Sequence, residues 1–227
     1  MSRTRAARPI ALALAGLIAL FAALVAHAAS GGRDAHAHVH HATSGEISSS
    51  ELALRQGMRH LWEDHVTWTR LAVISLTSDS PDTKATVSRL LRNQTDIGNA
   101  IKPYYGKAAG QALTRLLREH ITIAADLIAA AKAGDEEKVA SAQASWQRNA
   151  DQIAGFLNKA NPRAWKLGEM KAMLRTHLGL TTQEVVARLK GKWAADVRAY
   201  DAIHRQALGM ADMLSDGIVG QFPARFR

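Results

Sequence analysis

Asp64-His65-Val66-Thr67-Trp68-Thr69, Glu119-His120-Ile121-Thr122-Ile123-Ala124 and Thr176-His177-Leu178-Gly179-Leu180-Thr181 each read polar, histidine, aliphatic, small, apolar, small. Their histidines are 55 and then 57 residues apart. A pattern returning at such a period is the signature of repeated supersecondary units. The first copy sits in a helical stretch. Leu54, Met58, Leu61, Trp68 and Ala72 recur on one helical face, and Ser48-Ser49-Ser50-Glu51 before them fits a capping box, with Ser48 capping and Glu51 reaching back. Punctuation follows at Asp79-Ser80-Pro81, Pro103 to Gly106 (a turn), Gly134-Asp135, Asn161-Pro162 and Gly191. Five breaks delimit six helices, and no stretch alternates with period two for long enough to make a strand. The fold predicted is all-α, an antiparallel helical bundle of about six helices, readable as three repeated hairpins of about 56 residues. The second helices of the hairpins align on Asn93, Asn149 and His204, each followed at plus four by Ile97, Ile153 or Leu208.

Outward from the repeat, residues 1–28 carry arginines at 3, 5 and 8, an apolar run from Ile10 to Ala26, and Ala26-His27-Ala28 before Ala29. This is the order of a secretory signal peptide, and it places the protein in the periplasm or outside the cell; an uncleaved membrane anchor is the alternative. The leader holds three arginines and no acid, so a formal charge of +9 over 227 residues becomes +6 over 199 after cleavage. Residues 29–47 turn to Gly, Ser, Ala and His and read as a flexible tether, leaving 48–222 as the bundle domain. The absence of cysteine excludes a disulfide scaffold, a thiolate metal site, a cysteine nucleophile and covalent haem. Lys and Arg are scattered along helices, not gathered in a stripe with stacking aromatics, which argues against nucleic acid as a partner. Weak attraction to an anionic membrane surface fits the basic balance better.

The tether packs His36, His38, His40 and His41 into six residues. Dense, mobile imidazoles chelate Zn, Cu or Ni while neutral, with an affinity that falls as pH drops through about 6.5. In the bundle, His65 lies on the stripe between Leu61 and Trp68, His120 between Leu116 and Ile123, His177 between Met173 and Leu180, and His204 between Tyr200 and Leu208. All four are expected to face inward. A buried imidazole needs a partner, because leaving it unsatisfied costs about 1–3 kcal/mol. Either each ring bonds a carboxylate, an amide or a carbonyl of a neighbouring helix, or equivalent positions converge and the rings share a Zn, Cu or Ni ion. Asp201 and Glu184 are the candidates to add oxygen ligands or to orient the imidazoles. Met170-Met173 and Met210-Met213 either fill the core or add soft thioethers that favour copper.

The remaining features read as structure. Trp62, Trp68, Trp146, Trp165 and Trp193 are expected to anchor hairpin packing, and Asp212 and Asp216, on one face of the last helix, to pair with arginines such as Arg70. No phosphate-cradling glycine loop, nucleophile elbow or H-E-x-x-H motif is present, so no enzyme, catalytic residue or organic cofactor is expected. Trp62-x-x-His65-x-x-Trp68-Thr69-Arg70, with Met210-Ala211-Asp212-Met213-Leu214-Ser215-Asp216-Gly217-Ile218, resembles a family of bacterial all-helical proteins over most of the chain after residue 50. The resemblance implies the helical fold and no particular reaction. The expectation is an exported bundle that binds transition-metal ions through its histidines. The alternative is a non-catalytic interaction or stress-protective bundle whose histidines are structural.

Overall fold

Ser48 Oγ accepts a hydrogen bond from the Glu51 amide at 3.2 Å and opens the first helix as the capping box predicts. The reciprocal half of the box is replaced: the Glu51 carboxylate takes the Arg55 guanidinium at 2.7 Å, one turn along. The computed structural model describes residues 47–227; the leader 1–28 and the histidines of the tether, His36, His38, His40 and His41, lie outside the described residues. Six helices follow in order: α1 (Ser49–Ser78), α2 (Thr83–Ala100), α3 (Lys102–Ala133), α4 (Glu136–Ala160), α5 (Leu167–Leu189) and α6 (Trp193–Gln221), with a 3-10 turn at Pro223–Arg225. There is no strand among the described residues.

Four of the five predicted breaks are loops. Asp79, at φ 55°, ends α1 in the left-handed conformation that aspartate tolerates, and Gly134, at φ 75°, ends α3. The fifth differs. Pro103 stands in the first turn of α3, where its missing N–H has no partner to lose, and only Ile101 separates α2 from α3. The bend comes three residues later at Gly106, whose φ of 85° interrupts α3.

Each even helix packs between two odd ones: α2 between α1 and α3, α4 between α3 and α5, α6 between α5 and α1. The chain thus closes into a ring of three hairpins, and α1 also touches α3 and α5 directly. The main apolar cluster fills the interior, with Met58, Trp165, Ile203 and Ile218 among its most buried members, and smaller ones form around Leu90 and Ile128. The paired methionines belong to it as core residues, Met170 and Met210 buried and Met173 and Met213 packed alongside. Trp193 does not anchor anything: it is 59% exposed, with the Arg188 guanidinium 5.5 Å above its ring. Asp212 and Asp216 do pair with arginines, but with Arg59 at 2.6 Å and Arg55 at 2.6 Å on α1, not with Arg70. No helix among the described residues is long and apolar enough to cross a membrane.

The α2–α3 crossing depends on two glycines. A Cβ on Gly98 would meet the Thr114 side chain and lie 2.6 Å from the Gly110 carbonyl oxygen; one on Gly110 would lie 2.5 Å from the Gly98 carbonyl oxygen. Backbone cannot rotate aside as a side chain can. Gly98→Ala is expected to destabilise by about 1–3 kcal/mol despite its gain in helix propensity, read as a lower urea midpoint. An unchanged midpoint would mean that the two helices separate freely here.

Candidate functional site

His65 on α1, His120 on α3 and His177 on α5 meet inside the ring, each about 5% exposed. The His65 and His177 ring centroids are 6.0 Å apart, and those of His120 and His177 are 6.5 Å apart. The repeat therefore converges. Its cause is geometric: odd helices run parallel to one another, so one face and one height on each brings equivalent side chains to the same level.

Every ring is tied at Nδ1 to a carboxamide on the next helix. Gln94 Nε2 donates to His65 Nδ1 at 3.2 Å, His120 Nδ1–H donates to Asn149 Oδ1 at 2.8 Å, and His177 Nδ1–H donates to Gln206 Oε1 at 3.0 Å. The separation along the chain is 29 residues in all three cases. Backbone carbonyls fix which end of each amide faces the ring. Asn149 Nδ2 donates to Leu116 O at 3.1 Å, Gln206 Nε2 to Met173 O at 3.3 Å and Gln94 Nε2 to Leu90 O at 2.9 Å. Asn93 completes the pattern by donating to Leu61 O at 2.9 Å. Leu61, Leu116 and Met173 each stand four residues before a layer histidine, so each hairpin is closed by a clasp of histidine, amide and backbone.

These bonds set the tautomers. His120 and His177 carry their proton on Nδ1 and present a lone pair at Nε2; His65 accepts at Nδ1 and carries its proton on Nε2. All three rings are neutral at ordinary pH. Burial, followed by the neighbouring imidazoles His177 and His120, pushes His65 down to about 3. Burial and His177 push His120 down to about 4, and burial lowers His177 as well. Trp62 stands edge-on to His65 at 5.4 Å and Trp146 lies 5.3 Å from His120. The indole N–H groups of both tryptophans, Gln94 Oε1 and Gln143 Oε1 are buried without a hydrogen-bond partner among the described residues.

The fourth expected ring does not join. His204 is half-buried at the surface, where its Nε2 meets the Glu63 carboxylate at 2.8 Å. The register explains this: Gln206, two residues on, is the position that faces His177, and two residues turn an α-helix by about 200°. Asp201 is exposed, and Glu184 is held by Arg70 at 2.6 Å, so neither supplies an oxygen to the layer. No group of three or more His, Asp or Glu side chains among the described residues is arranged to hold a metal ion. Of the expected arrangements, three of the four rings converge and each bonds an amide of the neighbouring helix, while His204 stays apart on Glu63.

The amides Gln94 and Gln206 were not singled out in the sequence. The signal was there: the histidine spacings of 55 and 57, applied to Asn149, land on Gln94 and Gln206, all carboxamides. Asn149→Leu is expected to destabilise by about 1–3 kcal/mol, because it strands the buried His120 Nδ1–H. His120→Leu/Asn149→Leu, which removes both partners, is expected to be less damaging than the sum of its parts. Additive losses in a double-mutant cycle would show that the two side chains do not act as a pair.

No protein-family model, curated protein or solved structure matches the chain.

Proposed function

We propose that the protein is an exported, non-catalytic helical bundle that binds transition-metal ions through histidines. The observation that carries this reading is the gathering of three neutral imidazoles, from equivalent positions of a repeat, at one level inside the bundle. Neutral imidazole is the ligating form, and an outer amide that fixes the ring through its other nitrogen is the usual support of a ligating histidine. His36, His38, His40 and His41, four imidazoles within six residues of sequence, add further donors of the same kind.

A titration of the leader-free protein with zinc and copper at pH 7.5 tests the reading. Binding tighter than about 100 μM that raises the melting temperature supports it, since a ligand of the folded state stabilises by mass action. Absence of binding, or binding that survives replacement of all the mature histidines by alanine, overturns it. The clasp geometry favours a second reading: with every Nδ1 already committed, the layer serves stability alone. That reading expects an unchanged melting temperature with metal and a lower one for His65→Ala, His120→Ala and His177→Ala.

A further inference from the structure

The geometry points to a monovalent soft cation, copper(I), held between His120 Nε2 and His177 Nε2, with His65 as a neighbour and not a ligand. This deepens the metal-binding reading above and rests on it.

Three observations carry the assignment. First, the tautomers leave two lone pairs in the layer, not three. Asn149 and Gln206 accept the Nδ1 protons of His120 and His177, so both Nε2 atoms are free to bind, whereas the amide donated by Gln94 places the His65 proton on Nε2. Second, the spacing fits two-coordinate binding. Two imidazoles sharing an ion in line have centroids about 6.2 Å apart, from a metal–nitrogen distance of about 2.0 Å on each side and a nitrogen-to-centroid radius of about 1.1 Å. His120 and His177 stand 6.5 Å apart and His65 and His177 6.0 Å apart, so the spacing admits either pair and the tautomers choose between them.

Third, the charge balance selects the ion. No acidic residue acts on any of the three rings: their surroundings are burial, one another and the amides. Glu184, the buried carboxylate of α5, lies seven residues beyond His177, about 10 Å along the helix, and is occupied by Arg70. A bare divalent ion in such a place lacks a counter-charge. The cost of moving an ion out of water grows with the square of its charge, so a monovalent ion incurs about a quarter of the penalty of a divalent one of equal size. Copper(I) also accepts two nitrogen donors, where zinc takes four ligands.

The test uses the full leader-free chain with His36, His38, His40 and His41 replaced by alanine, so that only the bundle can respond. Copper(I) added anaerobically as its acetonitrile complex, silver(I) as a redox-silent stand-in and zinc(II) are titrated against tryptophan emission. The expected result is one equivalent of copper(I) or silver(I) with quenched emission, no response to zinc(II), and two nitrogen neighbours by X-ray absorption. His177→Gln abolishes binding and His65→Gln retains it, with folding of both checked by circular dichroism. Gln206→Leu, which frees the His177 ring to turn, weakens binding by about 10–100-fold. No copper(I) uptake by this protein, equal loss in His65→Gln, or a three- or four-ligand site overturns the inference. If the intact arm still binds zinc or copper in that event, the broader reading stands without it; if the intact protein binds neither, both fall.

Discussion

Metal-free protein shifted from pH 7.5 to pH 5 should lose about 4 kcal/mol of stability, read as a fall in the urea midpoint at constant slope. The loss comes from the histidine layer. In the unfolded chain a histidine takes up its proton near pH 6.5, whereas the folded protein holds His65 down to about 3 and His120 down to about 4. Between those limits the unfolded state binds more protons than the folded one, so stability falls as pH falls. At pH 5 each of these two rings accounts for about 2 kcal/mol, and His177, also lowered by burial, adds to the same trend. The carboxylates held low by arginine or lysine, such as Asp196, Asp212 and Asp135, act in a separate and more acid window, below the ordinary aspartate range. Glu184, whose carboxyl burial raises, takes up its proton more readily when folded and so works the opposite way, offsetting part of the loss as pH falls. His65→Gln/His120→Gln should flatten the profile between pH 7 and 5 while leaving the acid limb in place. A wild-type profile already flat in that interval would mean that the rings admit water and protons, contrary to their burial.

This acid sensitivity and the proposed copper chemistry have one origin: three imidazoles kept neutral by the same hydrogen bonds that hold the hairpins shut. How far that was readable in the chain varies by element. The helices were, because period 3.6 and the loop residues Asp79, Gly134 and Gly191 are local signals. The turn read at Pro103 to Gly106 holds the bend at its last residue, while Pro103 to Tyr105 are helical because Pro103, a breaker inside a helix, is neutral in its first turn. Convergence of His65, His120 and His177 was one of two arrangements that their shared repeat position allowed, and the fate of His204 was not legible in it. Its alignment with Asn93 and Asn149 matched polar residues one or two positions off register, and on a helix that slip moves a side chain from the interior to the surface. The correct register needed a chemical criterion, a carboxamide able to face an imidazole, and only Gln94, Asn149 and Gln206 satisfy it at the spacing of the histidines.

The layers along the ring also separate roles that the sequence presents mixed together. Toward the start of the odd helices an apolar cavity is lined by Met58, Trp62, Leu117, Met173, Met210 and Ile218; the imidazoles follow, and beyond them lies a group of charges. Arg70, five residues after His65, and Glu184, seven after His177, reach this third level together. Sequence reading paired Arg70 with Asp212 or Asp216 and offered Glu184 as an oxygen ligand or a group orienting an imidazole, because charge pairing across the bundle depends on height, which local periodicity does not report.

At that level Arg70→Met should destabilise the protein by about 3–5 kcal/mol. Arg70 Nη1 donates to Glu184 Oε1 at 2.6 Å and to Asp196 Oδ1, and its Nη2 donates to Asp196 Oδ2 at 2.9 Å. Arg188 adds a bond to Asp196 at 3.1 Å and another to Thr77 Oγ1 at 3.2 Å, and the Tyr200 ring lies 5.3 Å from the Arg70 guanidinium. Glu184 and Asp196 are each 1% exposed. Burial raises the Glu184 carboxyl even with Arg70 in place; at Asp196 burial pushes the same way but is outweighed by the two arginines. Without Arg70 the Glu184 carboxylate has lost its hydrogen-bonding arginine, so the folded state must either keep a buried charge or take up a proton. Arg70→Lys should fall between, since an ammonium cannot bridge both carboxylates in the plane of a guanidinium fork. Adding Glu184→Leu to Arg70→Met should recover part of the loss, because removing a stranded charge costs less than leaving it. Both variants are read by urea unfolding at pH 7.5. A cost below about 1 kcal/mol for Arg70→Met, the range of exposed ion pairs, would place the cluster in water and refute its burial.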